Sequence, residues 1–175
     1  MGTKRVGLAR TQALIQNLKR ELTLGGDTLL VGQRIKVTEV TADTSLTAAD
    51  SGKIIVFADA AATITLPDSG NGDIIGCTFT FVSHHQGTGQ KVVCTDTTNE
   101  KIIGSVSAVD NDGATDIRGW PALGASNFSS VNMNSVAQGH PGSMFKLTCI
   151  KADRWLVEGQ MIQSGGSEAT PFATS

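Results

Sequence analysis

Charge is scarce in this chain: 17% of its 175 residues are Asp, Glu, Lys or Arg, where about 25% is usual in a soluble domain. Neither sign dominates. The formal net charge is −2, so the composition offers no basic surface, and nucleic acid is not expected as a partner. Aromatic residues make up 5%, with no tyrosine, so one tryptophan can dominate a core. The three cysteines, Cys77, Cys94 and Cys149, are far apart and odd in number. No Cys-x-x-Cys or Cys/His spacing for zinc occurs, which leaves core filling as their expected use, with a pairing of two of them open. No apolar run reaches membrane-spanning length, so no membrane is expected as a partner. Residues 1–24 hold no hydrophobic signal-peptide core, and the expectation is a protein made in a cytoplasm.

What the chain has instead is glycine, 20 residues of it, together with many Thr and Ser. A surface short of charge and rich in small residues suits either a face covered in an assembly or a soluble β-protein with a Thr/Ser face. The organising stretch is Ser51–Val82, SGKIIVFADAAATITLPDSGNGDIIGCTFTFV. KIIVF is β-branched and stops at Ala58-Asp59. TITL alternates Thr outward with Ile64 and Leu66 inward, and Pro67, lacking an N–H, ends its pairing. After the turn residues DSGNGD, the run GCTFTFV places Cys77, Phe79 and Phe81 on one face. Period-two alternation with turns at close intervals predicts an all-β, antiparallel fold of sandwich or jelly-roll-like form.

Before this domain, residues 1–24 predict a helical arm. Leu8, Ile15, Leu18 and Leu22 form its apolar stripe, widened by Leu14, and Gly25-Gly26 ends it. A helix this short needs a partner surface, either its own β-domain or another subunit. Residues 25–163 are expected to form the β-domain. Within it, RIKVTEV reads as an edge strand with Ile35, Val37 and Glu39 on one face. KVVCTD and KIIGSVSAV follow, and SMFKLTCIKADRWLVEG reads as a hairpin turning at Ala152-Asp153 with Trp155 and Val157 inward. Phe79, Phe81, Phe145, Leu147, Trp155 and Val157 are expected to share one core. Residues 110–143 lose periodicity and read as a long loop insert carrying Trp120, Phe128 and Met133, and 164–175 as an extended tail.

The chain carries few motifs of catalysis or cofactor binding. ADSGK lacks the first glycine of a phosphate loop, because Thr47 stands there, and GNGDIIG misses dinucleotide spacing. No G-x-S-x-G elbow occurs, and His84-His85 lie beside glycines in a loop. Asp110, Asp112 and Asp116 offer hard oxygen ligands, yet the glycine is misplaced for a helix-loop-helix calcium site, so an exposed turn is preferred. Asn127-Phe128-Ser129 is a glycosylation sequon without a secretory context. No cofactor is expected and no enzyme.

Three separated pieces carry a resemblance: ATITLPDSGNGDIIGCTFTFV, then KVVCTD with EKIIG, then GSMFKLTCIKADRWLVEG. Together they resemble a module of tailed-bacteriophage virion proteins, with landmarks Leu66-Pro67, Gly76, Gly142-Ser143, Trp155 and Gly159 over residues 51–160. TKRVGLARTQALIQNLKREL is similar to the start of small structural proteins from marine phages. The resemblance implies a virion protein assembled in the host cytoplasm: a homotrimeric capsid decoration (cement) protein bound to the major capsid protein or another virion protein. The alternative it implies is a tail-fibre, head-fibre or adsorption module binding host glycan. Leu8, Ile15, Leu18, Leu22, Trp120, Phe128 and Met133 are the expected interface residues.

Overall fold

The structure, a computed structural model, describes residues 7, 11–12, 34–112, 116–165 and 168–175. Among the described residues almost everything regular is strand. The strands are β1 (Val37–Val40), β2 (Thr44–Ser45), β3 (Ile54–Phe57), β4 (Thr63–Thr65), β5 (Thr78–Ser83) and β6 (Gln90–Val93). They continue with β7 (Lys101–Asp110), β8 (Ile117–Ala122), β9 (Ser130–Met133), β10 (Met144–Lys151), β11 (Arg154–Gln163) and β12 (Phe172–Ala173). One 3-10 turn, Ala48–Asp50, interrupts them. No helix among the described residues is long and apolar enough to cross a membrane.

The strands form two mixed sheets. The larger has seven strands in the order β1-β3-β5-β10-β11-β7-β8, and the smaller has five in the order β12-β9-β6-β4-β2. The first six strands alternate between them. β1, β3 and β5 lie side by side and parallel in the large sheet, and β2, β4 and β6 do the same in the small one. The chain is therefore wound, and each circuit adds one parallel strand to each sheet. β10 closes on β5 and β11 on β10, both antiparallel, while β11 runs parallel to β7 over ten residue pairs. The expectation of antiparallel pairing is corrected, because five of the ten strand pairings are parallel. Period-two alternation reports which face is buried, and it is identical for either direction of neighbour.

Both sheets contribute to one buried cluster. Ile55, Phe57, Phe79, Phe81, Phe145, Leu147, Trp155 and Val157 come from the large sheet, and Ile64, Val92, Val131, Met133 and Phe172 from the small one. The expected shared core of Phe79, Phe81, Phe145, Leu147, Trp155 and Val157 is present, with Phe81 stacked on Phe145 at 5.1 Å. Fully burying each of these side chains stabilises by roughly 1.5–3 kcal/mol.

Three expectations differ from the structure. In β1 the faces are reversed: Val40 is buried, whereas Ile35 and Val37 are 64% and 55% exposed. The register against β3 sets the faces, because Val40 lies beside buried Phe57 and Val37 beside half-buried Ile54. Residues 110–143 are not a structureless insert, since they give β8 to the large sheet and β9 to the small one. Gly119 and Pro121 hide the alternation in β8, and β9 has only four residues. The segment 164–175 carries β12, which pairs with β9 and buries Phe172. Residues 35–175 therefore make one compact unit that includes the tail. Of the arm, Thr11 and Gln12 are helical, with the Thr11 N–H donating to the Gly7 carbonyl at 3.3 Å. Leu8, Ile15, Leu18 and Leu22 lie outside the described residues.

Candidate functional site

Chemically capable groups gather at two places where chain segments meet. The first is Glu100, fully buried just ahead of β7. Its Oε1 accepts from the Ser69 N–H at 2.7 Å and from the Ser69 hydroxyl, and more distantly from the Trp155 indole N–H at 3.5 Å. Its Oε2 accepts from the Asp96 N–H at 2.8 Å. The donors come from the corner after β4, the turn after β6 and the start of β11. A buried carboxyl group is tolerated only when its oxygens are so occupied. With each oxygen taken by the chain's own donors, Glu100 acts as a clamp holding three segments at fixed spacing.

The second group lies at the far ends of β7 and β11. Asp110, Asp112 and Glu168 each bring one carboxylate oxygen to within 4.8 Å of the others. Asp110 and Asp112 are two of the three oxygen ligands expected from sequence; Asp116 is not among the group, and its backbone carbonyl accepts from the Asp110 N–H at 3.0 Å instead. Glu168 takes the third place from a distant segment. Such oxygens suit a hard cation. Each already has a partner in the chain, however. Arg118 pairs with Glu168 at 2.9 Å, and the Gly165 N–H donates to Asp112 at 2.5 Å. The Asp112 N–H donates to Asp110 at 3.0 Å, and that backbone bond holds the Asp110 carboxyl below its ordinary range. Together these contacts fasten the chain after β11 to β7 and β8.

The aromatic and Met residues expected at an interface are turned toward the chain's own interior. Met133 is fully buried, so its expected place at a subunit contact is corrected: it fills the core from β9. Trp120 is half-buried against the core, and its indole N–H donates to the fully buried Gln163 at 3.0 Å. Phe128 packs on the core and stacks on Phe172 at 5.7 Å. His84 and His85 dock by their backbone N–H groups on the Phe57 carbonyl at 3.2 and 3.3 Å.

The landmarks of the resemblance have folding reasons. Ser69, Glu100 and Trp155, from three separated pieces, meet at one carboxyl group. The Ser143 hydroxyl accepts from the Ile162 N–H at 2.9 Å and donates to its carbonyl at 3.3 Å, pinning the start of β10 against β11. A Cβ on Gly159 would lie 2.5 Å from the Met144 carbonyl oxygen and the Phe145 Cα, so any side chain there would push the strands apart.

Among the described residues, the outward face of the large sheet carries several exposed or half-buried apolar residues. Exposed Val37, half-buried Ile54, Val56 and Val82, and Met144 at 49% exposure lie on adjacent strands, with exposed Ile35 just ahead of β1. Around Met144 an open groove of about 390 Å³ is lined by Thr80, Lys146, Glu158 and Gly159. Lys146 and Glu158 face each other across β10 and β11 as an ion pair.

Of these features, Glu100 carried one sequence signal, its position at the head of the EKIIG run. Glu168 carried none, because only the course of the last segment brings it to Asp110. No family model, curated protein or solved structure matches this chain.

Proposed function

We propose that this chain is a bacteriophage virion structural protein, a capsid decoration (cement) protein that bridges neighbouring capsid subunits and does no catalysis. In this reading the two sheets pack face to face as a β-sandwich. Copies associate as a homotrimer in the virion, and the apolar stripe Leu8, Ile15, Leu18 and Leu22 anchors each copy. One observation carries the reading: the outward face of the large sheet joins exposed apolar residues over neighbouring strands in a chain that has little charge elsewhere. A contiguous exposed apolar patch marks an interaction surface. The buried polar groups lend support, because Glu100, Gln90 and Gln163 spend their hydrogen bonds on holding strand crossings.

Trp120 bears on the alternative, an adsorption module binding host glycan. A sugar platform displays its aromatic ring outward, whereas Trp120 lies against the core and bonds Gln163. The interface is therefore proposed on Ile35, Val37, Val56 and Met144.

The test is incorporation. Val56→Asp with Met144→Asp should leave the strand circular-dichroism signal intact and remove the protein from capsids. Leu18→Asp with Leu22→Asp should do the same for the anchor. Sedimentation of purified wild-type protein should give a trimer. Unchanged decoration by both double variants, or a copy number fitting the tail and not the capsid lattice, would overturn the cement reading.

A further inference from the structure

Cys77 and Cys149 stand opposite one another across the β5–β10 seam. The last regularly paired residues there are Thr78 and Thr148; one step further the Cys149 N–H donates to the Cys77 carbonyl at 2.9 Å and the Gly76 N–H to the Cys149 carbonyl at 2.8 Å, so Gly76, at φ 90°, and Cys77 together face Cys149 in a bulge. Both side chains belong to the inward face: Cys149 is fully buried and Cys77 is half-buried against the same core. Hydrogen-bonded residues facing each other on antiparallel strands have Cα atoms about 5.5 Å apart, inside the range a disulfide spans. None of the three cysteines is joined to another in this structure. Cys94, buried on the small sheet's side after β6, has neither cysteine as its strand partner.

We propose that Cys77 and Cys149 form a redox lock, a disulfide made when the protein meets a low-molecular-weight disulfide and opened again by a thiol. Cys77, the more accessible of the two, attacks first as its thiolate. It joins one sulfur of the small disulfide and expels the other half as a thiol. The Cys149 thiolate then attacks the Cys77 sulfur and expels the second small thiol. Two protein thiols and one small disulfide thus become one protein disulfide and two small thiols, with both protons passing to the departing sulfurs. The bond closes a loop of roughly seventy residues, which restricts the unfolded chain and leaves the folded sheet in place. It fastens the connection between β4 and β5 to β10, so the chain is more stable in oxidising than in reducing surroundings. This inference does not depend on the virion reading.

The experiment incubates the full chain with oxidised glutathione, alkylates it under denaturing conditions and maps the peptides by mass spectrometry. The expected result is one free thiol, Cys94, a peptide linking Cys77 to Cys149, and a Tm higher by about 5–10 °C that a reductant reverses. Cys94→Ala should keep that shift, and Cys77→Ser and Cys149→Ala should each lose it. If Cys149→Ala fails to fold, the partly exposed Cys77→Ser variant carries the comparison alone. Three alkylated thiols, glutathione retained on Cys77, a link involving Cys94, or a link without a rise in Tm would each overturn the lock.

Discussion

The strands up to β6 and the hairpin of β10 and β11 bury the same kind of face by opposite routes. In the wound half Val37 pairs with Ile54 and Ile54 with Thr80, so neighbours are a full circuit of chain apart. In the hairpin, Leu147 meets Val157 across a short turn at which Asp153 adopts φ 59°. Closing the longer circuits costs more chain entropy before any contact rewards it. The wound half therefore depends on groups that pin successive circuits, and the hairpin needs only its turn. Glu100 is where the two halves meet, accepting from Ser69 on one side and Trp155 on the other.

The largest expected loss follows from removing that meeting point. Glu100→Ala strands several buried donors at once and should destabilise by about 4–6 kcal/mol, or prevent folding, as read by urea denaturation. A loss under about 1 kcal/mol would show that the halves hold together without it.

Trp155→Ala tests the hairpin's side of the core. The side chain is fully buried, and its cavity should cost about 3–5 kcal/mol. Trp155→Phe keeps most of the volume and loses the long bond to Glu100, so about 1 kcal/mol is expected beyond the change in packing. Thermal denaturation of the pair separates packing from clamping.

Gly104 probes the parallel seam that joins β7 to β11. It sits at φ +124°, opposite Val157, whose carbonyl oxygen a Cβ would strike. Gly104→Ala should destabilise by about 2–3 kcal/mol, more than an alanine substitution at a half-buried outward position of the hairpin such as Lys146. Equal effects would mean that the seam yields easily.

The smallest effect belongs to the surface of the wound half. Asp50 has its carboxyl lowered from 3.8 to about 2, first by its bond to Lys53 and then by the Thr47 N–H. The folded value lies below the unfolded one, so this stabilisation is present above about pH 3.8 and fades as pH falls toward about 2. Asp50→Asn should lower Tm slightly at neutral pH, with the difference shrinking through that window. A constant difference would place the effect in the turn's shape and not in the charge.

The alternation of TITL, GCTFTFV and SMFKLTCIKADRWLVEG determined which residues face inward, and Pro67 and Ala152-Asp153 where those runs stop. These are local properties, set by side-chain period and by backbone groups a few residues apart. β1 shows the limit: RIKVTEV marks a strand, but both its faces carry an apolar residue, so its register against β3, with Val40 beside Phe57, decides that Val40 is inside and Val37 outside. Pairing partners, and with them the parallel winding, were settled by tertiary structure. So were the joining of Glu168 to Asp110 and Asp112, the clamp at Glu100, and the use of Phe172 from an unremarkable tail to cover Phe128. Each depends on the burial of one segment by another far along the chain, and no local pattern encodes which distant segment that will be.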